Sequence, residues 1–351
     1  MPRVAVVGAT GAVGREMRRL LADRQFPLDG PPVLLASARS AGTSVEFKGE
    51  QVTIQELTAD AFAGVELALF SAGATRSREF AAAAVAAGAV VVDNSSAFRM
   101  DADVPLVVSE VNPDDVKDRP RGIIANPNCT TMVLMLPAKA LHDRFGLASM
   151  VVTTYQAAGG AGQGGMSELL EQSIAFSGQP ELLRTSGAKL EASATPNNFS
   201  RAIAFNVLPH CGDFEDDRYT VEERKLVDES RKILHLPNLA VSPTCVRVPV
   251  MAGHSIVARM TFERDVTRAQ AMAALADFPS GMRIVDGIGR DGEALEFPTA
   301  LASAGEDDVL VGRVREDLGD TKSLNLFVSG DNLLKGAALN TVQIAELVAA
   351  S

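Results

Sequence analysis

The stretch VAVVGATGAVGREMRRLL, near the start of the chain, restricts what the chain can fold into more than any other. Residues 4–9 are an apolar run too short for a buried helix, which predicts a strand. Glycines follow at Gly8, Gly11 and Gly14, and a helical pattern then runs from Gly11 to about Leu21. A strand that passes through glycines into a helix opens a βαβ unit. The alternation continues. PVLLAS at 32–37 and VELALFSA at 65–72 predict further strands, an alanine-rich helix runs to about Ala87, and VVVDNSS follows. Strands alternating with helices predict an α/β fold with a Rossmann-type, doubly wound parallel sheet. Such sheets bind ligands at the carboxyl ends of their strands.

The spacing Gly-x-x-Gly-x-x-Gly departs from the commoner Gly-x-Gly-x-x-Gly, and alone it fits a structural turn as well as a phosphate cradle. Its place between strand and helix favours the cradle. The amides of Gly11, Ala12 and Val13 are predicted to stand free for a pyrophosphate. Gly8, Thr10 and Ser71 are expected to complete the cofactor site. Chains preferring NAD carry an acid at the end of the second strand to hold the ribose hydroxyls. Here the residues are Ser37-Ala38-Arg39-Ser40. Arg39 suits a 2′-phosphate and Ser40 can donate to it, so NADP is expected; a solvated loop arginine is the alternative.

At 351 residues the chain exceeds what one core usually supports, which suggests two domains. Beyond about 148 the texture changes. MVVTTYQA, SIVARMTF and SLNLFVSG are longer strand candidates rich in Val, Ile, Thr and Phe, and they predict a second, α+β domain. A charged helix is expected to begin near Thr220, where Thr220 and Glu223 form a capping box. A closing helix is expected from about Leu333, returning to the first domain. The division expected is a nucleotide domain over 1–128, completed by 332–351, and a catalytic and dimerisation domain over 129–331. The net charge of −11 argues against nucleic-acid or membrane partners. The weakly polar stretch at 81–92 is too short to span a bilayer, and the N-terminus lacks a signal-peptide pattern. Three widely spaced cysteines and the absence of CxxC or HxxxH pairs predict neither a disulfide framework nor a metal site. A cytoplasmic protein with reduced thiols is expected.

One of those cysteines stands out. In ANPNCTT, Asn128 can cap the helix that follows, and Pro127 disfavours an earlier start. Cys129 then lies at the positive end of the helix dipole, where a thiolate is favoured. A small buried structural thiol is the alternative. Of four histidines, His142 falls within the helix, and His210 and His235 have no evident partner. His254 follows a strand and has the chemistry of an acid/base residue, although spacing alone does not single it out. Arg247 in TCVRVPV faces away from Val246 and Val248 on a strand, and its planar fork suits a carboxylate.

GATGAVG, SARSAG, DNSSAFRMDADVPLVVSEVN, NPNCTT, YQAAGGAG, RVPVMAGHS and VSGDNLLKGAALN occur in this order. In these motifs, and along nearly its whole length, the chain resembles the aspartate-semialdehyde dehydrogenase family. The resemblance implies NADP-dependent reduction of L-aspartyl-4-phosphate to L-aspartate 4-semialdehyde and phosphate through a cysteine thioester, in lysine, threonine and methionine biosynthesis. It implies Cys129 as nucleophile, His254 as acid/base residue and Gln156 as the amide that orients the substrate. It gives Arg99 and Lys225 to the phosphate, with Asn128 able to donate there too. It gives Arg247 to the α-carboxylate and Glu222 to the α-ammonium, and it places Asn332 near the nicotinamide amide. It also implies a homodimer. An exposed Glu222–Lys225 pair on a solvated helix is the plain alternative.

Many family members have serine at the position of Gly159 and a small polar residue at that of Ala161; backbone contacts from Gly159 and Gly160 to the cofactor are expected to survive. The segment 172–206 carries no interpretable motif. Two competing readings remain at this level. One is the homologous N-acetyl-γ-glutamyl-phosphate reductase, whose cysteine usually sits in Asn-Pro-Gly-Cys-Tyr. The other is a non-catalytic NADP-binding redox sensor switched by Cys129, which has no need of Arg99, Arg247 and His254.

Overall fold

The structure is a computed structural model that describes residues 1–290 and 294–350. It divides into two compact units, one made of Met1–Met135, Arg231–Leu236 and the chain from Leu333 onward, the other of Leu136–Ser230 and Pro237–Asn332.

In the first unit, β1 (Val4–Val7) leads into α1 (Ala12–Asp23), then β2 (Val33–Ala36), β3 (Ser44–Phe47), β4 (Glu50–Glu56), β5 (Leu67–Phe70), α2 (Ala74–Ala86), β6 (Val90–Asp93) and β7 (Ile123–Ala125). The sheet order is β3-β4-β2-β1-β5-β6-β7. All pairs are parallel except β3 with β4. Every residue of β1, β2 and β5 is buried, as a sheet covered on both faces requires. The hairpin of β3 and β4 and the short β7 were not expected from the sequence. The hairpin turns on Lys48 and Gly49, both at positive φ (48° and 85°), the pattern of a tight two-residue turn.

Helix α3 (Cys129–Phe145) starts at the cysteine. The expected division after 128 does not coincide with a break, because the first unit extends along α3 to Met135. The second unit holds β8 (Leu147–Gln156), α4 (Gly162–Ser177), α5 (Pro180–Thr185), α6 (Gly187–Ser193), α7 (Val221–Ile233) as far as Ser230, β9 (Ala240–Arg247), β10 (His254–Phe262), α8 (Arg268–Ala276), β11 (Met282–Ile284), β12 (Gly287–Ile288), β13 (Leu295–Glu296), α9 (Ala300–Ser303), β14 (Val309–Glu316) and β15 (Ser323–Gly330). Its main sheet has the order β11-β14-β15-β10-β8-β9. Strand β9 runs parallel to β8, and β10 runs antiparallel to β8 and β15. The carboxyl ends of β8 and β9 and the start of β10 therefore meet at one end of the sheet. The capping box of α7 is present: Thr220 N–H donates to Glu223 at 2.7 Å, and Glu223 N–H to Thr220 Oγ1 at 3.3 Å.

The chain closes with a π turn at Leu334–Ala338 and α10 (Leu339–Ala350). Leu339, Val342, Ile344 and Ala345 join Val6, Met17, Leu21 and Leu69 in the core of the first unit, so the last helix does return there.

Candidate active site

The first unit carries a cleft of ≈ 690 Å³ at the carboxyl ends of its strands, lined among others by Gly8, Thr10, Gly11, Arg39 and Ser71. Gly8 has φ +84°, and a Cβ there would meet Ser71 O at 2.4 Å. Gly14 lies so close to β1 that its Cβ would fall 2.2 Å from Gly8 O. These two glycines bring strand and helix together, as a nucleotide cradle needs. Helix α1 has no side-chain cap, so its first turn offers backbone donors and positive potential to an anion. One expectation changes here. The N–H of Gly11 donates to Gly8 O at 3.0 Å, so of the three amides expected to stand free for an anion that of Gly11 is engaged within the turn. Ser40 is tied into the turn after β2, its N–H donating to Ser37 O at 2.8 Å. Arg76, Glu56 and Phe80 also line the cleft and were not expected from the sequence. Arg76 follows Gly73 in the first turn of α2, just past the end of β5, so the strand-end rule could have found it.

A second group in the same unit surrounds the start of α3. Asn128 Oδ1 accepts from Thr130 N–H at 3.0 Å and Thr131 N–H at 3.3 Å, the predicted cap. This sets the half-buried Cys129 on the first turn, at the positive end of the dipole. Arg99 is buried; its Nε donates to Asn126 O at 2.9 Å and its Nη2 to Asn94 O at 3.2 Å. Its loop is held by Lys232, whose ammonium donates to the carbonyls of Arg99, Asp101 and Val104 at 2.8, 2.7 and 2.8 Å.

The second unit builds its group by strand register. Gln156 at the end of β8 pairs with Arg247 at the end of β9, and His254 begins β10 on the other side of β8. All three are buried. The peptide of Ala157 joins two of them: Arg247 Nη1 donates to Ala157 O at 2.8 Å, and Ala157 N–H donates to His254 Nδ1 at 3.0 Å. With Nδ1 accepting, a neutral His254 carries its proton on Nε2. Burial and the nearby Arg247 charge push His254 down to about 3, with Glu222 acting in the opposite direction. Glu222 lies 3.1 Å from Lys225 on α7, and its side chain is only 13% exposed, unlike a pair on a solvated face.

Gly160 approaches this group so closely that a Cβ would meet Arg247 Nη1 at 2.6 Å and His254 Cε1 at 3.3 Å. Gly159 would bring a Cβ within 2.8 Å of Met251 O, so a serine cannot replace it without a shift. The N–H groups of Gly159 and Gly160 already donate to Met251 O and Ala157 O, at 2.9 and 3.1 Å. Asn332 Oδ1 accepts from Gly253 N–H at 3.0 Å, and its amide nitrogen faces Gly159. The segment 172–206 has a structural account: Glu168 Oε2 accepts from the N–H groups of Asn197 and Asn198 at 3.2 and 2.7 Å, and Phe199 lies 5.9 Å from the Arg247 guanidinium.

Family models match the chain as "Semialdehyde dehydrogenase, NAD binding domain" over residues 3–119 and "Semialdehyde dehydrogenase, dimerisation domain" over 138–335. Aspartate-semialdehyde dehydrogenase of Streptomyces akiyoshiensis is 49% identical, covering 99% of this chain and 98% of its own length. The chain belongs to the aspartate-semialdehyde dehydrogenase family. The enzyme of Aquifex aeolicus is 44% identical, covering 99% of this chain and 97% of its own. The structure of aspartate semialdehyde dehydrogenase II from Vibrio cholerae complexed with ASA is 42% identical with a TM-score of 0.91, covering 100% of this chain and 99% of that one. Membership makes the chain a semialdehyde dehydrogenase, an oxidoreductase that uses a nicotinamide cofactor, and the uncapped α1 terminus and glycine cradle fit such a group. Among the described residues, no helix is long and apolar enough to cross a membrane.

Proposed function

We propose that the chain catalyses the NADP-dependent reductive dephosphorylation of L-aspartyl-4-phosphate to L-aspartate 4-semialdehyde through a thioester on Cys129, in lysine, threonine and methionine biosynthesis. The Cys129 sulfur attacks the acyl carbon, the carbon–oxygen bond to phosphate breaks, and phosphate leaves near Arg99, Asn128 and Lys225. Bound NADPH supplies the hydride. As the thioester carbonyl oxygen gains the electron pair, His254 donates a hydrogen bond to it from Nε2–H. The pair then re-forms the carbonyl, the carbon–sulfur bond breaks, and the sulfur returns as thiolate. Arg247 holds the α-carboxylate, Glu222 the α-ammonium, and Gln156 orients the reacting end. The observation that carries this reading is the Ala157 peptide, which ties the carboxylate-binding arginine to the acid/base histidine at 2.8 and 3.0 Å.

Two arginines in the nucleotide cleft, Arg39 and Arg76, support NADP over NAD. Glu56 in the same cleft is the carboxylate that an NAD preference would use. On this reading the first unit supplies the nucleotide cradle with Cys129, Arg99 and Asn128, the second supplies Gln156, Glu222, Lys225, Arg247, His254 and Asn332, and the chain works as a homodimer in the cytoplasm. The test follows the reverse reaction by NADPH absorbance, with aspartate semialdehyde and phosphate, and in parallel with the N-acetylglutamate analogue and with NAD. Turnover is expected with aspartate semialdehyde and NADP. Turnover with the acetylated analogue alone would overturn the substrate, and turnover with neither would leave Cys129 a switch without catalysis.

A further inference from the structure

A polar network in the first unit lies outside the groups assigned above. Lys335 is fully buried, and its ammonium lies 2.6 Å from Glu110 Oε2, 2.7 Å from Gln343 Oε1 and 3.4 Å from Asn340 Oδ1. Burial works against charge on Glu110, but the Lys335 charge and its hydrogen bonds hold that carboxyl below its ordinary range. The residue that reads this pair is Asn340. Its Oδ1 accepts from Ser109 N–H at 3.0 Å, so its amide nitrogen must face the other way, donating to Val107 O at 2.9 Å and Asn126 Oδ1 at 2.7 Å. Asn126 in turn donates to Asn94 Oδ1 at 2.6 Å, and its carbonyl accepts from Arg99 Nε at 2.9 Å. Asn126 stands three residues before Cys129.

Backbone geometry points the same way. Lys335 lies in the π turn Leu334–Ala338, closed by Ala338 N–H to Leu333 O at 3.0 Å. Such turns recur where a helix must aim a side chain for function. A buried ion pair is a poor source of net stability, and its best-attested use is to fix register.

We propose that Asn340, oriented by the Lys335–Glu110 pair, is a positioning residue that holds Asn126 and thereby sets both the Arg99 guanidinium and the turn carrying Cys129. The inference rests on the roles given above to Arg99 and Cys129. Asn340→Asp is the sharp variant, because it keeps the shape and turns a donor into an acceptor against Val107 O and Asn126 Oδ1. KM for phosphate is expected to rise about tenfold or more, since a misplaced binding group loses on the order of one charge-assisted hydrogen bond. KM for NADP should stay within about twofold, because the α1 cradle is untouched. Alkylation of Cys129 by iodoacetamide, followed against pH, should slow about fivefold or shift its profile. Equal losses in both KM values, or an unchanged alkylation profile, would overturn the proposal. The alkylation arm needs no substrate, so it stands even if wild-type protein proves inactive on aspartate semialdehyde, an outcome that would count against the proposed function alone. If Asn340→Asp does not fold, Gln343→Leu removes a partner of Lys335 from the far side of the network. It should change the same two readouts in the same direction, and no change in either would equally overturn the proposal.

Discussion

Burial denies His254 a permanent charge, and that has a measurable consequence. Its pKa falls from 6.5 to about 3 on folding, so between those values the unfolded chain binds a proton that the folded chain does not. Stability from the neutral ring is complete above the unfolded value and is lost as pH drops through this window, at about 1.4 kcal/mol per pH unit. Urea unfolding at about pH 7.5 and about pH 5 should show wild type losing about 2 kcal/mol more than His254→Asn over that span. Equal losses would mean that the ring is protonated in the folded protein. At this scale the sequence was legible where the governing contact is local. Asn128 caps α3 because a cap needs only the two or three residues after it. Asn340 was illegible because it meets Asn126 across 214 positions, and Ala157 could not announce that its peptide bridges Arg247 and His254.

Among elements, the β1–α1 junction shows how a spacing becomes a constraint. Gly14 and Gly11 belong to one motif but carry different loads. A Cβ on Gly14 would fall 2.2 Å from Gly8 O and 2.9 Å from Gly8 C, whereas one on Gly11 would sit 3.4 Å from Gly8 O. Gly14→Ala must push α1 off β1 and should cost about 1–3 kcal/mol, with NADPH affinity falling about tenfold or more as the cradle opens. Gly11→Ala should stay within about 0.5 kcal/mol of wild type. Thermal melts and fluorescence titration of both variants decide this; equal behaviour would mean that Gly14 does not set the helix–strand distance. The buried parallel strands were readable because two covered faces demand continuous apolar runs. β3 and β4 were missed because they bury little: Phe47 is the single buried residue of β3, and Ile54 that of β4. Their turn also hides its signal, since Lys48 takes a conformation usually marked by Asn, Asp or Gly.

At the scale of the whole molecule, helical and strand patterns gave the order of the two architectures but not where one unit yields to the other. A lysine in a charged helix reads as solvated, yet Lys232 binds three carbonyls of the Arg99 loop, and Arg231–Leu236 counts with the first unit. The second unit leaves one further question, the outer face of its main sheet. Met150, Val152, Thr154 and Gln156 of β8 point inward and are buried, while Val151, Thr153 and Tyr155 point outward and are not. Thr153 pairs with Val257, and Val257 with Phe327, so these side chains stand in one row, with Val151 51% exposed beside it. A half-buried apolar row on an antiparallel sheet suits a two-fold contact, in which one face meets its own copy. Wild-type protein should sediment as a dimer at micromolar concentration. Val151→Asp places like charges opposite each other across such an axis, and it should shift the population towards monomer while leaving the monomer's melting cooperative. A dimer that survives this substitution unchanged would place the contact on another surface, and a wild-type monomer would remove the homodimer from the proposed function while leaving the chemistry of Cys129 and His254 as stated.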